Sequence, residues 1–258
     1  MQNRHLDRYT YFCELAKTSQ DFYLSYLGKF VSITPETKVL EIGCGEGGNL
    51  LPFAQIGCSV TGIDICYSRI MEASDYFKRR EQSGTFICAD FLVEKISGKF
   101  DIIIIHDVIE HINFSHKKAF MQKAKSLLEK NGIIFWGFPA WQMPFGGHQQ
   151  ICKNKVISHI PFIHLLPNTI YKSILKICRE DNDCINELLN IKKTKVPIEL
   201  FESLLKSQKL DIIDRCFWFI NPHYKQKFKL KPRKMYSFLG KIPYIRNYFC
   251  TSCFYITH

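Results

Sequence analysis

The sequence predicts an α/β protein built on a doubly wound, mostly parallel sheet of seven strands. Three observations carry this reading. Short apolar runs alternate with amphipathic stretches from residue 37 to residue 138. The first apolar run, Lys38-Val-Leu-Glu-Ile, opens into a glycine-rich turn holding Gly43, Gly45, Gly47 and Gly48. Acids close the next two apolar runs, at Asp64 and Asp90.

Each element follows from its pattern. Residues 8–30 form an N-terminal helical segment with Phe12, Leu15, Phe22, Leu24 and Leu27 at helical spacing. Residues 39–43 make the first strand, 48–56 a helix, 59–64 the second strand, 68–81 a helix and 85–90 the third strand. Residues 100–106 are apolar on both faces, so this fourth strand is central. A helix over 115–130 is expected to stop at Asn131-Gly132, and 133–138 form a fifth strand. The pattern then loosens. Residues 139–196, with prolines and helical stretches near 169–179 and 183–189, read as a substrate-covering helical insertion after strand five. A helix at 198–207 and strands at 210–220 and 248–256 complete a single domain of 258 residues, long enough to bury a substantial core.

The glycine turn points to a ligand. Glycines there let backbone amides approach closely, and the following helix offers its positive N-terminus. Asp64, about twenty residues beyond the turn, is placed to accept hydrogen bonds from a ribose diol. The spacing Gly43-x-Gly45-x-x-Gly48 also fits a dinucleotide site. Glu41, two residues before the first glycine, would repel a pyrophosphate, whereas it suits an ammonium or sulfonium group. Asp90 suits an adenine amino group, with Phe91 available to pack on the ring. The fourth strand ends in massed polar groups, His106-Asp107, followed by Glu110-His111. These features favour S-adenosylmethionine over NAD.

With those motifs in that order, residues 37–140 resemble the class I S-adenosylmethionine-dependent methyltransferases. The resemblance implies a Rossmann-like sheet whose last strand is antiparallel. It implies Glu41, Gly43, Cys44, Gly45 and Gly47 as the methionine-side loop, Asp64 with Ile65 at the ribose and Asp90 with Phe91 at adenine. It also puts His106 beside the transferable methyl, and makes the N-terminal segment, residues 1–36 with Tyr9 and Tyr11, a lid. Acid-x-x-Glu-His after strand four further resembles two O-methyltransferase groups, acting on polyprenylated catechols and on the terminal ribose of small RNAs. In those groups these residues are associated with a divalent metal, so Asp107, Glu110, His111 and the distant His148 become candidate ligands for magnesium or manganese. Asp107 departs from the glutamate usual there. A structural role for Glu110-His111 and a single base, His111 or His148, are the competing readings. Trp141 and Phe145, flanked by prolines, are expected on an exposed loop lining the acceptor pocket, whereas His159 and His164 are expected to pack or face solvent.

Composition narrows the setting. The residues before 10 show no signal-peptide pattern, and no apolar run approaches the ~20 residues that span a bilayer. Eleven cysteines, scattered and odd in number, suit a reducing cytoplasm. Cys250-x-x-Cys253 is expected within a strand, where residues three apart face opposite sides, which argues against a metal or redox pair. The net charge of +11 concentrates in residues 221–247, a loop with eight basic residues and no acid, suited to an anionic ligand or a membrane surface. The leading expectation is therefore a cytoplasmic methyltransferase acting on an oxygen of a small-molecule or lipid-linked acceptor. The alternatives are a ribose 2′-O-methyltransferase of RNA and a non-catalytic adenosine-binding scaffold.

Overall fold

The computed structural model describes residues 7–258. Helix α1 (Arg8–Thr18) starts where the Asp7 carboxylate accepts the Thr10 amide at 2.9 Å, and it runs through a π-helical turn, Ser19–Tyr23, into α2 (Leu24–Leu27). Strand β1 (Lys38–Ile42) enters the glycine turn and leads through a 3-10 turn (Gly48–Leu50) to α3 (Leu51–Ile56). The units β2 (Ser59–Asp64), α4 (Tyr67–Arg79), β3 (Thr85–Cys88), β4 (Phe100–His106), α5 (Phe114–Ser126) and β5 (Leu128–Phe138) follow. The insertion carries α6 (Lys155–His159), α7 (Asn168–Ile177) and α8 (Asn182–Thr194). The chain closes with α9 (Ile198–Ser207), β6 (Ile212–Ile220), α10 (Tyr224–Phe228), β7 (Arg233–Lys234), α11 (Ser237–Gly240), α12 (Arg246–Phe249) and β8 (Ser252–Thr257).

One sheet joins all the strands in the order β3-β2-β1-β4-β5-β8-β6-β7. Strands β1 to β5 run parallel, and β8 inserts antiparallel between β5 and β6. The expected doubly wound α/β fold with its antiparallel C-terminal strand is present. Seven strands become eight because Arg233–Lys234, inside the basic tract, adds a two-residue edge to β6. That tract is also not a plain loop, since it holds α10, α11 and α12. Its charge is partly neutralised internally: Lys225 pairs with Asp21 at 2.8 Å, and buried Arg246 contacts Glu199 and Glu202 at 3.0 and 2.7 Å.

The central strand shows why the fold is doubly wound. Ile102 and Ile104 face the layer made by α1, α3 and α4, where Phe12, Phe53, Ile70 and Phe77 lie. Ile103 and Ile105 face the layer of α5 and α9, with Phe120, Met121, Phe201 and Leu204. All four isoleucines are fully buried, and each contributes about 1.5–3 kcal/mol of hydrophobic stabilisation. The insertion has a small core of its own, built on Ile157, Ile163, Tyr171, Leu175, Ile185 and Leu188.

Two local expectations fail for tertiary reasons. Helix α5 ends at Ser126, and Asn131-Gly132 lies inside β5. Pairing of Leu128 with Phe100 draws the chain into the sheet before the turn signal is reached. Cys250 precedes β8 rather than lying in it, so its sulfur sits 3.3 Å from that of Cys253 instead of on the opposite face, and both are buried.

Candidate active site

The order of parallel strands reverses between β1 and β4, and the crevice beyond their carboxyl ends is where an open α/β sheet collects its ligands. The glycine turn forms one wall. Gly43, Gly45 and Gly47 all have positive φ, and a Cβ on Gly43 would come within 2.3 Å of the Val108 side chain. The turn thus lies directly against the segment leaving β4. Asp64, at the end of β2, accepts the amides of Gly45 at 2.9 Å and Cys66 at 2.8 Å, which fixes the turn against β2. Cys44 is buried beneath it, whereas Ile65 is largely exposed beside Asp64.

Glu41 is fully buried. One oxygen accepts the Asn49 amide at 2.7 Å and the other has no partner among the described residues. Burial raises its pKa to about 8, with the Asn49 bond opposing and the nearby acids Asp64 and Glu46 adding to the rise. An unpartnered buried carboxylate oxygen beside the glycine turn is a ready acceptor for a cationic group. Glu46, also buried, accepts from Arg8 at 2.8 Å and ties α1 over the turn.

Asp90 stays exposed and accepts the Leu92 amide at 2.8 Å. Phe91 departs from expectation: its ring is buried against Phe120, with centroids 5.1 Å apart, so it packs in the core instead of offering a face to adenine. Apolar neighbours in α5 outcompete an open edge for an aromatic side chain. Tyr9 packs against Phe12 of α1 and Tyr76 of α4, and Tyr11 meets His223 edge-on.

The opposite wall starts from β4. His106 is buried over Gly137 of β5, where any Cβ would come within 2.2 Å of the imidazole, so a glycine is required there. Its Nδ1 lies 3.2 Å from Asp107 Oδ2 and its Nε2 lies 2.9 Å from the Tyr23 hydroxyl. A carboxylate only accepts, so Nδ1 carries the proton and Nε2 accepts from Tyr23 O–H. Asp107 has positive φ, a conformation uncommon for a non-glycine residue, though aspartate tolerates it better than most. The Asp107 side chain is half exposed. Desolvation against the crevice wall raises its pKa, but His106, His148 and His223 outweigh this and hold the carboxyl below the ordinary range. Tyr23 comes from the π-helical turn, a local widening that sequence periodicity does not announce.

Beyond Asp107 the segment turns so that Glu110, His111 and His148 each present a ligand atom, all within 4.8 Å of one another. Asp107 stands outside this group, bound to His106 instead. Glu110 is buried, with neither carboxylate oxygen hydrogen-bonded, and burial followed by repulsion from Asp107 raises its pKa well above the usual value. Desolvation lowers the pKa of half-buried His148 to about 4 and also lowers that of His111, which lies at the exposed edge of the group. Lys117, buried beneath, donates to the carbonyls of Ile109 and Ile112 and holds the segment's shape. His148 also has positive φ and reaches the crevice from the insertion.

The acceptor side is corrected most. Trp141 is buried, packed edge-on to His164 at 4.7 Å, and Phe145 is half-buried. His164 is itself buried and donates from Nε2 to the Trp141 carbonyl at 2.8 Å. Prolines around Trp141 signalled an exposed loop, but the segment folds back onto the insertion. Tyr23, Glu46 and Asn49 escaped sequence reading because their roles depend on the partners that folding brings to them, His106, Arg8 and Glu41.

Comparisons with known proteins agree with this fold. A family model described as a methyltransferase domain matches residues 39–132. The ubiquinone biosynthesis O-methyltransferase of Pelagibacter ubique (strain HTCC1062) is 35% identical over 98 residues, covering 38% of this chain and 40% of that protein. Its counterpart in Histophilus somni (strain 2336) is 29% identical over 143 residues, 50% of this chain and 58% of that protein. The chain thus spans less than two thirds of the length of either relative. Among solved structures, magnesium protoporphyrin IX methyltransferase from Synechocystis PCC 6803 with bound SAH aligns with a TM-score of 0.57 at 17% identity, covering 95% of this chain and 82% of that one. An S-adenosylmethionine-dependent methyltransferase from Clostridium acetobutylicum ATCC 824 aligns with a TM-score of 0.59 at 12% identity, covering 93% and 90%. Likeness at these identities shows the fold.

Proposed function

We propose that the chain, whose residues 39–132 form a class I S-adenosylmethionine-dependent methyltransferase domain distantly related to ubiquinone biosynthesis O-methyltransferases, methylates an oxygen of a small-molecule or lipid-linked acceptor. The observation that carries the oxygen assignment is the meeting of Glu110, His111 and His148 beside the glycine turn.

On the cofactor side, Glu41 and the turn amides suit the methionine end, and Asp64 and Asp90 lie at the strand ends suited to ribose and adenine. S-adenosylmethionine supplies an electrophilic methyl group, and the chain must hold the acceptor oxygen in line about 3 Å from it. A hydroxyl must also lose its proton. The histidines facing it are weak bases, since His148 sits near 4 whereas a phenol sits near 10, a gap worth about 8 kcal/mol. Asp107, held low by its histidines, is weaker still. These residues therefore fit a site that lowers the acceptor's own pKa.

The donor set fits a divalent metal. Two neutral imidazoles and a carboxylate with both oxygens unpartnered suit magnesium or manganese, and Glu110 would shed its proton next to such a charge. When bound, the cation supplies Lewis acidity to the acceptor oxygen. Glu110, His111 and His148 would hold it, while Asp107 fixes the His106 tautomer and His106 keeps Tyr23 in place across the crevice.

A lipid-linked acceptor draws support from the basic tract. There Phe228, Leu230, Tyr236, Phe238 and Tyr244 are exposed among Lys229, Lys231, Arg233, Lys234 and Lys241, a mixture suited to an anionic membrane surface. No helix among the described residues is long and apolar enough to cross a membrane.

The test is radiolabelled methyl transfer into small-molecule, lipid and RNA fractions, with and without chelator. Label in a catechol-type small molecule or its lipid-linked form, lost in chelator and restored by magnesium or manganese, is the expected result. Label confined to RNA would replace the acceptor assignment. Chelator-indifferent turnover would remove the metal, and failure to bind S-adenosylmethionine would overturn the whole reading.

A further inference from the structure

We propose that the insertion holds a structural zinc ion between Cys152, Glu180 and Cys184, with the fourth position open to Cys178, which packs against the same apolar cluster. The ligand atoms of Cys152, Glu180 and Cys184 lie within 4.8 Å of one another. Two ligands sharing a tetrahedral zinc stand about 3.8 Å apart, given Zn–S bonds near 2.3 Å, so small side-chain rotations close the site.

Three separate segments bring these groups together. Cys152 follows the 3-10 turn Gln149–Ile151 that leaves His148. Glu180 sits in the short link between α7 and α8. Its two oxygens accept the amides of Lys153 at 3.0 Å and Asn154 at 2.8 Å, which aims the carboxylate at the Cys152 segment. Cys184 lies in the first turn of α8, where Asp181 accepts its amide at 2.8 Å.

The surroundings combine metal-ligating side chains with an apolar cluster. Cys152 and Glu180 are buried, and Cys152 belongs to the insertion's own apolar cluster. The Tyr171 hydroxyl, also buried and within electrostatic reach of Cys152 and Cys184, has no hydrogen-bond partner among the described residues. Of these groups only the Tyr171 hydroxyl lacks a hydrogen-bond partner among the described residues, and burying an unpaired hydroxyl is costly. Both thiols pack against this cluster, Cys152 buried within it and Cys184 at its edge. Zinc would convert both to thiolates and release their protons. The thiol ligands favour zinc over magnesium or manganese, so this site and the Glu110–His111–His148 group select different ions. Its consequence is mechanical: an ion joining Cys152 to α8 would anchor the loop that presents His148, four residues earlier.

The full chain, purified under reducing conditions without chelator, should retain about one zinc by plasma mass spectrometry. Cobalt exchanged into the protein should give the intense thiolate-to-metal absorption of sulfur ligation. Cys152→Ser and Cys184→Ser should each lose the metal and the absorption, whereas a His111→Ala/His148→Ala double variant should keep both. Glu180→Gln, which preserves packing, should weaken zinc binding about 10–100-fold, and wild-type cobalt absorption remains decisive if the cysteine variants do not fold. Wild-type protein that takes up neither ion, absorption that follows the histidines instead of the cysteines, or a Cys152–Cys184 disulfide in protein prepared without oxidant would each overturn the proposal.

Discussion

The glycine turn after β1 and the insertion at residues 139–196 face the same crevice but are held by different physics. The turn is fixed by backbone: positive φ at Gly43, Gly45 and Gly47, and amides bound to Asp64. The insertion is fixed by side chains, through a small apolar core, the His164–Trp141 hydrogen bond and the groups around Cys152. Backbone-built walls tolerate few residues at each position and so are readable from a motif. Side-chain walls can be assembled in many ways, which leaves the acceptor half free to differ between proteins that share the cofactor half.

Breaking the backbone-built wall should have the largest effect. Gly43→Val sets a branched side chain against Val108 at positive φ. It should abolish S-adenosylmethionine binding in calorimetry and destabilise the fold by about 2–4 kcal/mol in chemical unfolding. Wild-type affinity in this variant would mean that the turn does not form the cofactor wall.

Next comes the seam between the halves. Asp107→Ala removes the acceptor that fixes the His106 tautomer. Methyl transfer should drop on the order of 10²-fold or more in kcat, with S-adenosylmethionine affinity changed by less than about threefold. Equal losses in affinity and turnover would place Asp107 on the cofactor side instead.

A change on the acceptor side should be gentler. Glu110→Gln should weaken activation by magnesium or manganese about 10–100-fold, read as a shift in the metal concentration giving half-maximal rate. An unchanged metal dependence would assign Glu110 a purely structural role.

The smallest effect is a proton. Glu41, with its pKa raised to about 8, is largely protonated in the free protein at pH 7, and a cationic ligand would ionise it. Binding should therefore release close to one proton at pH 7, seen as a dependence of binding heat on buffer ionisation enthalpy, and Glu41→Gln should remove that dependence. The sign also applies to folding. The folded carboxyl binds its proton more tightly than the unfolded one, so Glu41 lowers stability increasingly as pH rises from about 4.5 to 8. The Gln variant should accordingly gain relative stability across that window, with no further gain above it. A stability difference independent of pH would contradict the buried, protonated state.

Sequence alone determined the α/β class, the parallel order of the first five strands, the glycine turn and the acids Glu41, Asp64 and Asp90. These depend on local pattern: strand runs of period two, glycines where φ must be positive, and acids at strand ends, all within one short span of chain. It also picked out Glu110, His111 and His148, although they come from segments far apart. Only tertiary structure decided that Asp107 turns to His106 and not to that cluster, that Phe91 and Trp141 pack inward, and that Tyr23 reaches His106 from the N-terminal π-helical turn. It alone brought Cys152, Glu180 and Cys184 together. Those outcomes are choices between competing partners, and the winner depends on which buried group or apolar neighbour the folded chain brings within reach.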